Sequence, residues 1–179
     1  MYTNCKLCGF VFTGTFKKKK VAIKIKHPKS EALSSVSREA NVLKEVNKHG
    51  IGPKYLFNTN NYLVYEFVEG EYLKNLVKSK NIKKYCKILL EQCFQLDSIH
   101  LTKQEMTRPY KHAIVKGNKI TLIDFERARK GEAHNVTQLC TFIMNLVDKK
   151  NKDKWVKLAR EYSKDKSRAN FKKLLELLK

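Results

Sequence analysis

Short apolar runs and turn residues alternate in the first part of the sequence. Leu7–Phe16 and Val21–Ile25 flank four consecutive lysines, Lys17–Lys20, which predicts a β-hairpin with a lysine-rich turn. Between Ser30 and Lys48 the apolar residues recur every three or four positions, and this spacing predicts a helix. Two more strands, at 54–57 and 62–67, are predicted on either side of an asparagine-rich turn.

Residues 70–99 show helical periodicity instead. A long polar loop is predicted at 100–113, and loops of this length often carry function. A second hairpin is predicted around Gly117-Asn118, and the sequence after Asn135 is again helical. We therefore expect an α+β protein, with a β-rich part that holds one helix followed by a mainly helical part that holds one hairpin.

The composition favours a soluble protein with a packed core. Hydrophobic residues make up 42% of the chain and charged residues 31%. No apolar run approaches the length that a membrane span requires, and no secretory signal pattern follows Met1. We expect a cytoplasmic protein without a membrane partner.

The charge is strongly unbalanced. Lys and Arg number 38 against 17 Asp and Glu, which gives a formal net charge of +21. A field of this sign attracts polyanions, such as nucleotide phosphates, RNA or an acidic protein partner. Two interpretations stay open: a specific RNA or acidic protein partner, or lysines that only solvate the surface. The same alternatives apply to the lysine turn at 17–20.

The five cysteines are expected to be reduced thiols, because their number is odd and no secretion signal accompanies them. Cys5 and Cys8 form a C-x-x-C pair, which is the pattern of half a zinc site or of a redox pair. No second pair stands at zinc-finger spacing, so we predict no zinc site there. Cys86 and Cys93 lie on one face of a predicted helix and are expected in the core.

Three residues suggest phosphate chemistry. Lys24 lies in an apolar strand that would bury its stem and direct its ammonium into a cleft, and Glu39 on the next helix is its expected partner. Asp124 follows a second apolar strand, where a carboxylate can hold the Mg²⁺ that bridges nucleotide phosphates. Each residue alone is equally typical of a solvated lysine, helix acid or turn aspartate.

In order, these residues resemble the protein-kinase superfamily over about residues 1–145. Val21-Ala22-Ile23-Lys24 is similar to the strand-lysine motif, Leu63–Gly70 to the hinge, and Asp124-Phe125-Glu126 to the magnesium motif D-F-G. The resemblance implies one domain over 1–179 with a minimal two-lobed kinase-like fold around a nucleotide cleft. The N-lobe would cover 1–66, and a truncated helical C-lobe would cover 67–179.

The resemblance also implies the cofactors and the residues that bind them. ATP would bind with Mg²⁺ or Mn²⁺, held by Asp124 and His112. Lys24 would contact the α- and β-phosphates, Glu39 would position Lys24, and Glu105 would act as the catalytic base beside Lys24 and Asp124. The implied nucleotide-binding residues are Gly9, Val11, Ala22, Lys24, Glu39, Glu66 and Val68, the last two through backbone groups that pair with adenine.

Several motifs depart from the family pattern. Of the glycine-rich loop only Gly9 remains, with Asn4 and Lys6 at the other glycine positions. Lys103-Gln104-Glu105 stands where H-R-D is expected, so the base would be a glutamate. His112 replaces the magnesium-binding asparagine and is a poorer ligand for Mg²⁺, which favours Mn²⁺.

The short segment 128–134 replaces a long activation segment. In this the chain resembles the RIO kinases and the kinase subunit of the KEOPS complex, and it is more similar to small archaeal proteins regarded as serine/threonine kinases. The resemblance implies an ATP-dependent phosphotransferase that moves the γ-phosphate to a hydroxyl. The incomplete motifs keep a nucleotide-binding pseudokinase open, and the charge keeps open an ATPase subunit of an RNA-associated assembly.

Overall fold

A computed structural model describes residues 10–25 and 35–179, which form a mixed α/β protein with small antiparallel sheets and a helical C-terminal part. The strands are β1 (Phe10–Phe16), β2 (Lys19–Ile25), β3 (Tyr55–Asn58), β4 (Tyr62–Glu66), β5 (Glu71–Tyr72), β6 (Leu101–Thr102), β7 (Ala113–Lys116), β8 (Lys119–Leu122) and β9 (Arg129–Lys130). The helices are α1 (Ser35–Asn47), α2 (Leu73–Leu76), α3 (Ile82–Ser98), α4 (Asn135–Phe142), α5 (Lys152–Lys164) and α6 (Arg168–Glu176). Among these residues, no helix combines the length and the apolar character needed to cross a bilayer.

The chain divides into two compact units. The first comprises Met1–Glu69 and Thr121–Arg127, and the second comprises Gly70–Ile120 and Ala128–Lys179. The expected division at residue 66 assigned 121–127 to the second part. This segment groups with the first unit because Phe125, which is 1% exposed, donates its backbone N–H to Glu39 in α1.

The first unit contains a four-stranded antiparallel sheet in the order β1-β2-β4-β3. The predicted hairpin is confirmed, but only Lys17 and Lys18 form its turn, because Lys19 and Lys20 already belong to β2. Both turn residues have positive φ angles, 48° and 63°. Two positive φ angles in a two-residue turn are the geometry that matches the twist of adjacent strands.

Helix α1 buries the apolar stripe that its sequence predicted, including Ala40 and Val46, which are both 0% exposed. At its end the Asn47 side chain donates to the carbonyls of Ile51 and Pro53, both at 2.9 Å, and so fastens the connection to β3. Gly52 in this connection has a φ of 79°, and a Cβ there would lie 3.1 Å from the Phe125 ring. Only glycine therefore fits without displacing that ring.

The second unit is mainly helical, and its core confirms the predicted burial of Cys86 and Cys93 in α3. Phe94 of α3 stacks on Phe171 of α6, with ring centroids 4.4 Å apart. The predicted loop at 100–113 is more ordered than expected. It contains β6, which pairs with β9, and a 3₁₀ turn at Pro109–Lys111, because backbone groups this close to a core need hydrogen-bond partners.

Asp97 is the buried polar centre of the second unit. Its carboxylate accepts from the backbone N–H groups of Asn135 (2.8 Å) and Val136 (3.3 Å), the first two residues of α4, and from the Tyr162 hydroxyl (3.1 Å). A carboxylate at this place satisfies helix N–H groups that have no partner within the helix. Burial raises the pKa of the Tyr162 hydroxyl, and the nearby Asp97 charge raises it further.

We expect Asp97→Ala to lower the free energy of unfolding by about 3 kcal/mol or more, because it leaves several buried donors without an acceptor. Tyr162→Phe removes a single hydrogen bond and should cost about half as much. Urea unfolding of the variants measures both values. Asp153→Ala, at an exposed position of α5, is the control. A cost for Asp97→Ala no larger than that of the control would contradict the central role of Asp97.

Candidate functional site

Lys24 lies in the middle of the first unit's sheet, on a strand with neighbours on both sides. It pairs with Val11 of β1 and Leu63 of β4. The whole residue is 7% exposed, and Ala22 on the same sheet face is 4% exposed. Burial of a lysine this deep requires a charged partner.

Among the described residues, three carboxylates surround the Lys24 ammonium. Glu39 of α1 lies 2.7 Å from it, which confirms the predicted ion pair, and Asp124 lies 3.2 Å away. Glu126, which was not assigned to Lys24, lies at 3.0 Å. The ammonium donates hydrogen bonds to Glu39 and Asp124. Its contact with Glu126 is an ion pair only, since the buried Oε2 atom of Glu126 has no hydrogen-bond partner.

The three carboxylates differ in their access to solvent. The Glu39 side chain is 6% exposed, Glu126 is 24% exposed and Asp124 is 37% exposed. Glu39 is also fixed from its other side, since its Oε1 accepts the Phe125 N–H at 3.0 Å. Glu39 is thus a permanent partner of Lys24, while the other two carboxylates can turn towards another ligand.

Asp124 has a left-handed backbone conformation, which aspartate tolerates better than most residues with a Cβ. Its φ is 62°, in the left-handed region, which costs a residue with a Cβ about 1–2 kcal/mol. The cost is met locally, because the next residue, Phe125, is buried and hydrogen-bonded to Glu39. Strain of this kind concentrates at sites where the direction of a side chain matters.

Charge and burial oppose one another at Lys24. Burial alone would lower the pKa of the lysine, but Glu39, Asp124 and Glu126 together raise it above its ordinary value. Burial raises the pKa of Glu39, and the Lys24 ammonium and the Phe125 N–H oppose that rise. Donors engage both oxygens of Glu39, and these contacts favour its ionised form.

The second unit holds Glu105 and His112, whose Oε2 and Nε2 atoms lie 3.3 Å apart. Gln104 and Glu105 both have positive φ angles, 65° and 62°. Helix α4 fastens this strained loop from both sides. The backbone N–H of Lys103 donates to the Asn135 side chain at 2.8 Å, and the N–H of Met106 donates to the Gln138 side chain at 3.2 Å.

The remaining predicted site residues are spread over the first unit. Val11 and Val68 are half-buried. The backbone N–H of Glu66 donates to the Lys54 carbonyl at 2.9 Å, so this N–H already has a hydrogen-bond partner within the sheet. Gly9, like Cys5 and Cys8, lies outside the described residues.

The binding of one divalent cation by both Asp124 and His112 stays a prediction, because the two residues belong to different units. Each has been described within its own unit: Asp124 beside Lys24, and His112 beside Glu105. Both side chains offer atoms that bind divalent cations, a carboxylate oxygen in one case and an imidazole nitrogen in the other.

Sequence reasoning missed the residues that hold the functional side chains in place. Glu126 stands at the glycine position of the D-F-G motif and has no predicted role, although its carboxylate lies 3.0 Å from the Lys24 ammonium. Asn135 and Gln138 gave no signal beyond their position at the start of a helix. Their partners are backbone N–H groups of the loop, 32 positions earlier in the chain in both cases.

We expect Lys24→Met to lower the free energy of unfolding by about 3–5 kcal/mol, because it strands the Glu39 carboxylate in the interior. The double variant Lys24→Met/Glu39→Gln should recover much of this loss, since a neutral amide keeps the acceptor for the Phe125 N–H. Chemical denaturation of the two single variants and the double variant gives the coupling energy. Additive losses would show that the two charges do not depend on each other.

The geometry of the Lys24 cluster is the basis for assigning a function. No protein-family model matches this sequence, and no curated protein matches it.

Proposed function

We propose that the protein is an ATP-dependent phosphotransferase of the serine/threonine-kinase type, with the minimal two-lobed kinase-like fold that its motifs imply. One observation carries the proposal: the Lys24 ammonium is held by Glu39, and the same glutamate holds the backbone beside Asp124. A lysine and an aspartate are thereby kept 3.2 Å apart although they are 100 positions apart in the chain.

The charge of this cluster favours a ligand that brings both signs. One ammonium and three carboxylates leave an excess of negative charge, which attracts a cation. If Asp124 turns to a cation, the ammonium loses one partner and can donate to an anion instead. A nucleotide phosphate with its divalent ion meets both requirements at once.

The roles of the residues follow from their access and chemistry. Bound Mg²⁺ or Mn²⁺ would neutralise charge on the phosphate oxygens. Asp124, the most exposed of the three carboxylates, would bind the ion, and Lys24 would hold the α- and β-phosphates. In the second unit, Glu105 would take the proton of the acceptor hydroxyl, with the His112 ring beside it.

Glu105→Gln tests the catalytic part of the proposal. The amide keeps the shape but cannot accept the proton, so phosphoryl transfer should fall by about two to four orders of magnitude while ATP affinity stays nearly constant. Transfer from radiolabelled ATP, with Mg²⁺ and with Mn²⁺, measures the first quantity, and calorimetry the second. Equal turnover by wild type and Glu105→Gln would exclude Glu105 as the base.

Asp124→Ala should remove the metal dependence of ATP binding.

A second candidate function is a nucleotide-binding pseudokinase, and the position of Glu126 favours it. In the kinase pattern this residue is glycine, which cannot contact the lysine. Here its carboxylate occupies the Lys24 ammonium at 3.0 Å and competes with any phosphate for it. A competitor built into the chain would weaken nucleotide binding and slow turnover.

We expect Glu126→Gln to tighten ATP binding about fivefold, since it removes one partly screened charge contact worth about 1 kcal/mol from the ammonium. Isothermal calorimetry with Mg²⁺-ATP measures the affinity. Glu45→Gln is a matched control, because Glu45 of α1 pairs at 2.9 Å with Lys48, the residue that follows the helix. Weaker binding by Glu126→Gln would mean that Glu126 helps to hold the metal rather than competing with the phosphates.

A further inference from the structure

The sheet of the first unit has a second face, opposite to that of Lys24. Residues directly paired across antiparallel strands share a face, and successive residues alternate between faces. The pairing registers therefore place a largely aromatic and aliphatic set on this second face: Phe10, Phe12, Gly14 and Phe16 of β1, Val21, Ile23 and Ile25 of β2, Tyr62 and Val64 of β4, and Phe57 of β3. Lys19 of β2 and Glu66 of β4 lie on the same face, at one end of it.

Two of these aromatic side chains are exposed to solvent. Phe12 is 38% exposed and Phe16 is 37% exposed. Phe16 lies next to Phe57, with ring centroids 5.1 Å apart, and Phe57 lies 6.4 Å from Tyr62. Phe12 and Phe16 thus present flat apolar surface to solvent on one face of the sheet.

Lysines border this aromatic face. Lys17, Lys18 and Lys19 are exposed, Lys17 Nζ lies 5.5 Å from the centroid of the Phe16 ring, and Lys54 is exposed just before β3. Within strands β1 to β4 as described, Glu66 is the one acidic residue, and it contacts Lys19 at 3.1 Å and Lys54 at 3.8 Å. One carboxylate leaves most of this positive charge without compensation.

The lysine turn has a backbone conformation that lysine disfavours. The positive φ angles of Lys17 and Lys18 suit asparagine and glycine, and each costs a lysine about 1–2 kcal/mol. Residues that break a local rule in this way are expected where function requires their side chains. Here the property that lysine adds is positive charge at the edge of the aromatic face.

We propose that this face binds single-stranded nucleic acid, with bases stacked on Phe12 and Phe16 and phosphates on Lys17 and Lys18. A basic border beside exposed aromatic rings is the combination that binds unpaired bases and the backbone together. In a duplex the flat faces of the bases are covered by their neighbours, so the rings select a single strand. An acidic peptide would use the lysines but gain nothing from flat aromatic rings. The site is separate from the proposed phosphotransferase function and does not use Lys24.

The full chain is titrated into a fluorescein-labelled oligothymidylate of about 12 nucleotides, a length that one such surface can cover. Fluorescence anisotropy gives the affinity at several salt concentrations. An oligomer with the same phosphates but no bases, and a polyglutamate peptide, serve as competitors. We expect both to compete at least about fivefold less well than the unlabelled oligothymidylate, which corresponds to one stacked base.

Two variants separate the rings from the charges. Phe12→Leu/Phe16→Leu keeps apolar bulk on the sheet but removes the flat faces, and should weaken binding about fivefold or more. Lys17→Asn/Lys18→Gly removes two charges while giving the turn its preferred residues. It should raise the melting temperature, weaken binding, and reduce the slope of log affinity against log salt by about 1.4.

Lys149→Gln/Lys150→Gln, at exposed positions of the second unit, is the control with the same change of charge and should retain both affinity and slope. Equal competition by the abasic oligomer, an unchanged affinity of the leucine variant, or equal losses for the two lysine pairs would overturn the proposal and leave only general attraction of polyanions.

Discussion

The burial of one charge, the Lys24 ammonium, organises the first unit. An ammonium in the interior needs carboxylates around it, and Glu39 supplies the one that is itself buried. The second oxygen of Glu39 accepts the Phe125 N–H. The glutamate that pairs with Lys24 therefore also holds the segment 121–127, which groups with the sheet and α1 in the first unit. The left-handed backbone of Asp124 is tolerated because its carboxylate contacts Lys24 and the N–H of the next residue, Phe125, donates to Glu39.

The second unit uses the same physical principle with the opposite sign. There the buried group is the Asp97 carboxylate, and its donors are the first N–H groups of α4 and the Tyr162 hydroxyl. Asn135, held by Asp97, in turn accepts from the backbone of the Glu105 loop. In each unit a buried polar side chain, Lys24 or Asp97, supports a short segment with positive φ angles that carries a predicted functional residue, Asp124 or Glu105.

The alternation of side chains along a strand allows one sheet to serve two kinds of chemistry. In β2, Lys24 faces the acidic cluster while its neighbour Ile23 lies on the aromatic face with Phe12. The net charge of +21 would act differently on the two faces. Around Lys24 the nearest charges are carboxylates, so the positive field is locally reversed, whereas the lysines beside Phe16 stay largely uncompensated.

The sequence by itself determined the local structure and the chemistry of the principal residues. Periodicity predicted the first hairpin, the buried face of α1 and the core position of Cys93, because burial of apolar side chains acts within each element. The order of motifs also predicted the Lys24–Glu39 pair. Tertiary structure alone decided the place of Glu126 at the lysine, the pairing of β6 with β9, and the network of Asp97 and Asn135. These contacts join residues far apart in the chain, and such partners are chosen by where the backbone brings donors and acceptors together, which no local pattern records.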